Sequence, residues 1–133
     1  APARPDLTRY MSAAAGMEAT GKMEAAAASY ERAQSLWPDA ALPWLGLANL
    51  SHARGDFETA QKAYVEAITR DPANAAARNN LAETLAQRGC VTDAKREIAR
   101  AMELARGTSL ERTIEATAAR LTSLPDGGSC QPR

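Results

Sequence analysis

The sequence predicts an all-α fold, an α-solenoid of three helix–turn–helix repeats closed by a C-terminal capping helix. One observation behind this prediction is a pattern of large and small residues that occurs three times, with a period of about 34 residues. Another is a glycine at the same place in every repeat. A fixed period near this length is typical of stacked helix pairs, because a single pair cannot bury its apolar face alone.

The repeats span residues 7–40, 41–74 and 75–108. The middle repeat carries the pattern in Trp44, Leu47, Ala48, Gly55, Asp56, Phe57, Ala60, Tyr64, Ala67 and Pro72. The same places of the first repeat hold Tyr10, Ala13, Ala14, Gly21, Lys22, Met23, Ala26, Tyr30, Ala33 and Pro38. Those of the third repeat hold Arg78, Leu81, Ala82, Gly89, Cys90, Val91, Ala94, Ile98, Ala101 and Arg106.

The order of residues within a repeat predicts two helices and the turn between them. Ala60, Tyr64 and Ala67 share one helix face, where alanines allow close helix approach and the tyrosine fills the space beside them. Asp56 is an N-cap candidate for the second helix. A glycine is expected to end each first helix, and a proline closes the first two repeats. These residues are Gly21, Gly55, Gly89, Pro38 and Pro72.

A further helix is predicted over residues 109–124. Thr108 and Glu111 have the spacing of a capping box, in which each side chain accepts a hydrogen bond from the other residue's backbone N–H. The apolar side of this helix is formed by Leu110, Ile114, Ala118 and Leu121. One apolar and one polar side suit a helix that shields the end of a repeat array. We expect it to run antiparallel to the helix of residues 91–105.

Composition argues against several classes of function. The chain has 16 basic and 16 acidic residues and no basic stripe, which disfavours nucleic acid and anionic membranes as partners. No apolar run is long enough to span a bilayer, so membrane insertion is not expected. The low aromatic content, 5%, fits an alanine-rich helical array better than a β-sandwich or a barrel.

The sequence also lacks the usual signals of an enzyme. His52 is the only histidine, which excludes a His-rich metal site, and two cysteines are too few for a four-ligand zinc site. A Cys90–His52 nucleophile pair has no third group to orient it and no evident oxyanion hole. We therefore expect no enzymatic activity, no cofactor and no metal.

Cys90 and Cys130 are predicted to form a disulfide. If the capping helix runs antiparallel to the helix before it, its end returns to the level of Cys90. The tail of residues 125–133 then carries Cys130 onto that position. Such a bond implies an oxidising compartment, for example a bacterial periplasm. The alternative is two unrelated thiols, one in a turn and one in a frayed tail.

The repeating pattern resembles the tetratricopeptide repeat (TPR). Residues 41–74 match it closely, through a large residue, Leu and a small residue, then Gly-Asp-aromatic, spaced alanines and a proline. The third repeat departs from it at Arg78, which replaces the aromatic, and at Arg106, which replaces the proline. The three repeats cover about three quarters of the chain. The resemblance implies protein–protein interaction through a concave groove lined by the first helices.

The resemblance also assigns residues to that groove. They are Met11, Leu42, Leu45, Asn49, His52, Asn79, Asn80 and Glu83. Asn49 and Asn80 occupy places where groove asparagines of peptide-binding TPRs hydrogen-bond the ligand backbone, since an amide offers both a donor and an acceptor. The alternative is that both amides are merely solvated.

Charge in this groove bears on the partner. TPRs that grip the acidic C-terminal tails of cytosolic chaperones carry Lys or Arg at several groove places. This chain has Met11, Ala76 and Asn80 at those places. The resemblance therefore implies an apolar or neutral protein or peptide segment as the partner.

Three functional hypotheses follow. The first is a non-catalytic interaction or scaffolding module that binds a partner segment in the groove. The second is the accessory C-terminal domain of a larger exported enzyme. The Gly-Cys of the last repeat and the final Cys resemble alanine-rich TPR tails on some bacterial exported cysteine peptidases. The third hypothesis is a homo-oligomerising module.

The beginning of the array has no counterpart of the capping helix. We expect Leu7, Met11 and Met17 to form an apolar edge that contacts an upstream domain or a second subunit. Alternatively, these residues belong to the core of the first repeat. Residues 1–6 contain two prolines and suit a linker, although they also fit the start of a mature protein or an artificial boundary.

Overall fold

The computed structural model of the protein describes residues 6–130. Seven α-helices, and no strand, make up this part of the chain. They are α1 (Leu7–Ala19), α2 (Met23–Leu36), α3 (Leu42–Ala53), α4 (Phe57–Arg70), α5 (Ala75–Gln87), α6 (Val91–Ala105) and α7 (Glu111–Thr122). The predicted fold class, three helix pairs and a final helix, is confirmed. The expected linker, apart from Asp6, and residues 131–133 of the tail lie outside the described residues.

The helices form a curved double layer. α1 pairs with α2, α3 with α4, and α5 with α6. The first helices of these pairs also contact one another along the array, α1 with α3 and α3 with α5, whereas the second helices α2, α4 and α6 do not. The row of first helices is therefore the inner, concave side. α7 contacts α5 and α6, which is the place that the first helix of a fourth repeat would take.

The turn inside each helix pair is the same in all three repeats. Its glycine adopts the left-handed conformation that closes a helix, with φ of 82° at Gly21, 80° at Gly55 and 81° at Gly89. Asp56 then caps α4 by accepting a hydrogen bond from Thr59 N at 3.2 Å. Hydrogen bonds from Thr59 hold the pKa of Asp56 below its usual value. α2 and α4 end just before the closing prolines, as predicted.

The core repeats with the period of the sequence. Buried alanines recur one period apart at Ala14, Ala48 and Ala82, at Ala26, Ala60 and Ala94, and at Ala33, Ala67 and Ala101. The large buried residue beside them is Tyr30, Tyr64 or Ile98. Equal burial at matched positions means that each helix pair packs on the next in the same register.

Helix packing is especially tight where Tyr30 of α2 meets α3. A Cβ added to Gly46 would lie 2.5 Å from Cε1 of Tyr30, whereas a Cβ on Gly16 of α1 would meet nothing within 4 Å. We expect Gly46→Ala to lower the free energy of unfolding by about 1–2 kcal/mol, because overpacking outweighs the gain in helix propensity. The matched Gly16→Ala should raise it by about 0.5–1 kcal/mol. Urea unfolding followed by circular dichroism measures both, and a stabilising Gly46→Ala would contradict the close packing.

The start of α7 differs from the prediction. The helix begins at Glu111 rather than at residue 109, and the expected capping box does not form. Thr108 Oγ1 accepts a hydrogen bond from Leu110 N at 3.2 Å, and the Glu111 carboxylate accepts from Gly107 N instead of Thr108 N. Residues 106–110 therefore form a turn. Leu110, expected on the apolar side of the helix, lies in this turn and is 37% exposed.

The rest of α7 covers the end of the array. Its buried residues are Ile114, Thr117, Ala118 and Leu121. The helix runs antiparallel to α6, so the chain returns to the start of α6. There, Cys90 and Cys130 form a disulfide with Cα atoms 5.6 Å apart.

At the opposite end of the array, the first helix pair has its own small core. Met11 and Met17 pack against a buried cluster that contains Tyr30 and Leu50. Ser29 Oγ donates to Met17 Sδ at 3.5 Å. Of the two alternatives for these methionines, the structure favours the core of the first repeat. No helix among residues 6–130 is both long and apolar enough to cross a membrane.

Candidate functional site: the concave groove

The concave side carries most of the groove residues that the sequence assigned. Leu42 is 49% exposed and Asn49 is exposed, both on α3. Leu45, His52, Asn80 and Glu83 are half-buried on α3 and α5. Met11 of α1 is also half-buried and packs against the core of the first helix pair.

Asn79 departs from the expectation that it faces the groove. Its residue is only 6% exposed, and its Oδ1 is buried without a hydrogen-bond partner among the described residues. The Asn79 side chain is buried where α5 packs against its neighbours, so a ligand would reach this amide only if the helix moved. Asn79 therefore lies beneath the groove surface and is not a ligand-contacting residue.

A chain of hydrogen bonds crosses the groove from α7 to α3. Thr117 Oγ1 donates to Glu83 Oε1 at 3.3 Å and shares its proton with Thr113 O, which is also 3.3 Å away. Asn79 Nδ2 donates to the same carboxylate oxygen at 3.5 Å and to Asn80 Oδ1 at 3.3 Å. Asn80 Nδ2 donates in turn to Asn49 Oδ1 at 3.3 Å. We call the four members of this chain that lie on α3 and α5 the polar chain: Asn49, Asn79, Asn80 and Glu83.

Tyr64 anchors the α3 end of the polar chain. Its hydroxyl donates to Asn49 Oδ1, although the tyrosine ring belongs to α4 and the residue is 1% exposed. Burial raises the pKa of Tyr64, which keeps the hydroxyl protonated as a donor. Because Asn49 Oδ1 accepts from both Tyr64 and Asn80, the Asn49 amide is held in one orientation. Its Nδ2 has no partner among the described residues and can donate to a ligand carbonyl.

Charged groups at the groove compensate one another. Arg120 NH2 of α7 lies 3.5 Å from Glu83 Oε1, with the two side chains 60% and 33% exposed. His52 Nδ1 lies 2.9 Å from Thr84 Oγ1. Since that hydroxyl donates to Asn80 O at 2.8 Å, the imidazole nitrogen is the donor to it. The groove therefore presents amides, hydroxyls and apolar carbon with little net charge.

Three contributors to the groove were not assigned to it from the sequence: Tyr64, Thr117 and Arg120. Thr117 lies one repeat period after Glu83, which itself lies one period after Asn49. The repeat period could therefore have placed Thr117 at the groove position of a fourth repeat. Tyr64 was assigned to the core, and no sequence signal shows that its hydroxyl reaches Asn49.

Comparison with known families agrees with this architecture. Two family models, both described as tetratricopeptide repeat, match residues 18–59 and 51–112. The protein belongs to the tetratricopeptide repeat family. No curated protein matches the chain in sequence.

Solved structures with this fold include TPR proteins that were captured with peptides. The type III secretion translocator chaperone SycD of Yersinia enterocolitica, in complex with a peptide of the translocator YopD, has a TM-score of 0.81 at 21% identity. That match covers 88% of this chain and 92% of SycD. The TPR2B domain of yeast Sti1, from a complex with pHsp70, has a TM-score of 0.81 at 15% identity, covering 88% and 96%.

The first TPR of Spaghetti (RPAP3), bound to the HSP90 peptide SRMEEVD, has a TM-score of 0.79 at 13% identity and covers 88% of this chain and 93% of that one. At these identities the likeness shows a shared fold.

Proposed function

We propose that this protein is a non-catalytic interaction module that binds an extended segment of a partner protein in its concave groove. The observation that carries the proposal is the oriented Asn49 amide, whose Nδ2 is available on the same helix as the exposed Leu42, two turns further along α3. An amide next to apolar carbon suits a peptide, which offers a backbone carbonyl and side chains together. The similarly folded structures of SycD and RPAP3 hold peptides, which supports the same role here.

The groove is organised before a partner arrives. Asn49 is fixed by Tyr64 and Asn80, and Glu83 is fixed by Thr117 and Arg120. Groups that are already ordered lose little conformational entropy on binding, so more of the interaction energy appears as affinity. Shape and backbone hydrogen bonding are therefore the basis of recognition.

The preferred segment is neutral or apolar. Arg120 is already paired with Glu83. Met11, Ala76 and Asn80 stand at the places where a cationic clamp has Lys or Arg, which does not favour an acidic sequence such as SRMEEVD. Leu42 and Leu45 offer apolar contact instead. The disulfide supports an oxidising compartment, such as a bacterial periplasm, as the place where the protein acts.

Removing the Asn49 and Asn80 amides tests the groove. We expect Asn49→Ala with Asn80→Ala to weaken retention on an array of immobilised neutral and apolar twelve-residue peptides by about thirtyfold, since each of the two lost hydrogen bonds contributes about 1 kcal/mol. The wild-type protein should retain these peptides more strongly than immobilised SRMEEVD. The free energy of unfolding should fall by about 1–3 kcal/mol, because the buried Tyr64 hydroxyl loses its acceptor, but the core stays packed and the variant stays folded.

A matched control lies on α4, a second helix on the convex side. Glu58 and Lys62 form an exposed ion pair there, with side chains 66% and 71% exposed. Glu58→Ala with Lys62→Ala should leave both retention and melting temperature unchanged. Equal retention by the Asn49/Asn80 double variant and the wild type would show that the groove is not the binding site.

A further inference from the structure

We propose that the Cys90–Cys130 disulfide is a latch for the groove. In the oxidised protein it fixes α7, which supplies one wall of the groove, and reduction releases that wall and weakens partner binding. The effect on binding rests on the proposed function, whereas the effect on α7 does not.

The tail after α7 is built into the fold as an ordered segment. Thr92 N donates to Gly127 O at 3.1 Å, and Gly127 N donates back to Thr92 Oγ1 at 3.2 Å. Lys95 Nζ donates to Leu124 O at 2.7 Å and pairs with Asp126 at 2.6 Å. These contacts seat residues 124–127 along the first turns of α6.

Buried polar groups hold the end of this segment. The Asp93 carboxylate of α6 is fully buried and accepts from the backbone N of Cys130 and from Ser129 Oγ at 3.5 Å. Gln61 of α4 is 3% exposed and donates through Nε2 to Cys130 O at 2.6 Å. Buried polar groups are costly without partners, so the tail completes the packing of α4 and α6. The tail of residues 124–130 therefore contacts both the second and the third repeat.

The same helix that precedes the tail shapes the groove. From α7, Thr117 Oγ1 donates to Glu83 Oε1, and Arg120 lies beside the same carboxylate. α7 has only 12 residues and packs against α5 and α6, and no further helix among the described residues covers its outer side. A short terminal helix is the part of an array that opens most easily, so a covalent anchor at its end changes how often it opens. Opening of α7 frees Glu83 and thereby the polar chain.

Reduction has a defined route. Cys90 is fully buried, whereas Cys130 is half-buried, so we take Cys130 as the side from which a reductant approaches. A dithiol reductant attacks Cys130 Sγ through its thiolate, the S–S bond breaks, and Cys90 leaves as a thiolate that takes up a proton. The second thiol of the reductant then displaces Cys130 as a thiol. In sum, two electrons and two protons pass to the cysteines, and the reductant leaves as a disulfide.

Hydrogen exchange read by mass spectrometry tests the latch without any ligand. The oxidised protein, the protein reduced by dithiothreitol and Cys130→Ser should be compared. We expect reduction and Cys130→Ser to speed exchange in residues 111–122 by about tenfold or more, with a smaller increase in residues 75–87 and the smallest in residues 7–36, where any change reports the loss of global stability. If α7 exchanges equally fast in the oxidised and the reduced protein, and alkylation shows both thiols of the reduced protein to be free, the proposal is overturned.

Two neighbouring glycines provide variants that keep both cysteines. A Cβ on Gly128 would overlap the Gly89 carbonyl oxygen, and Gly128 has φ of 70°, whereas a Cβ on Gly127 would meet nothing within 4 Å. Gly128→Ala should therefore prevent the tail from binding along α6, keep Cys130 away from Cys90 so that the disulfide does not form, and make α7 exchange as in the reduced protein. Gly127→Ala should exchange like the wild type. Slow exchange of α7 in Gly128→Ala would show that the contacts of the tail with α4 and α6 do not hold α7 in place.

Retention on the same peptide array links the latch to the groove. The reduced protein should bind the retained peptides about tenfold more weakly than the oxidised protein, within the range of a typical coupling between sites. Unchanged retention with fast exchange in α7 would overturn the coupling. If the oxidised protein retains no peptide, the proposed function fails, and the exchange experiment still decides whether the disulfide controls α7.

Discussion

Tyr64→Ala is expected to lower the free energy of unfolding by about 3–5 kcal/mol, the range for removing a large buried aromatic side chain. Tyr64 is 1% exposed and belongs to the core cluster that joins the second and third repeats, with Ala48 and Ala82 among its members. Its removal leaves a cavity between helix pairs that the close-packed alanines cannot fill. Urea unfolding followed by circular dichroism measures the loss.

Tyr64→Phe is the matched control because it keeps the ring and removes the hydroxyl. Only the hydrogen bond to Asn49 is lost, so the free energy of unfolding should fall by about 0.5–1.5 kcal/mol. Equal losses of unfolding free energy in the Ala and Phe variants would show that the ring contributes little. The conclusion that Tyr64 joins the cores of neighbouring repeats would then be wrong.

Cys130→Ser is expected to lower the free energy of unfolding by about 4 kcal/mol, because the unfolded chain regains the entropy of an open loop. The two cysteines are 40 residues apart in sequence, which makes this loop long. Denaturant unfolding of the oxidised wild type and of Cys130→Ser under identical conditions measures the difference.

A reductant supplies the control for this variant. Dithiothreitol should shift the wild type to the stability of Cys130→Ser and should leave the variant itself unchanged, since no other disulfide is present among the described residues. Two thiols that react in the unreduced, native wild type would show that the bond does not form in solution.

The fold was largely predictable because the repeat period imposes the same local choice three times. The glycines of the inner turns and the alanines of the core recur at the spacing that the structure uses. The start of α7 was predicted two residues too early, because the Thr108–Glu111 spacing is also compatible with a turn in which Thr108 accepts from Leu110 N. Short-range motifs do not decide between these two local arrangements.

The groove was less predictable than the fold. Positions on a first helix follow from the period, and the resemblance to peptide-binding TPRs assigned both Asn49 and Asn80 to the groove, where their amides lie 3.3 Å apart. Which side chain bends inward depends on neighbours in other repeats, so the burial of Asn79 and the reach of the Tyr64 hydroxyl had no local signal. The contact of Gln61 with Cys130 joins residues 69 positions apart, and no local sequence pattern predicts it.

Side-chain amide signals in NMR spectra of the isotope-labelled, oxidised protein test the partner-binding role most directly. The peptide retained most strongly on the array is titrated into the sample. The groove account predicts large shifts of the Asn49 and Asn80 amide signals, together with backbone shifts in α3, α5 and α7. Shifts confined to α2, α4 and α6, with both asparagine signals unmoved, would contradict it.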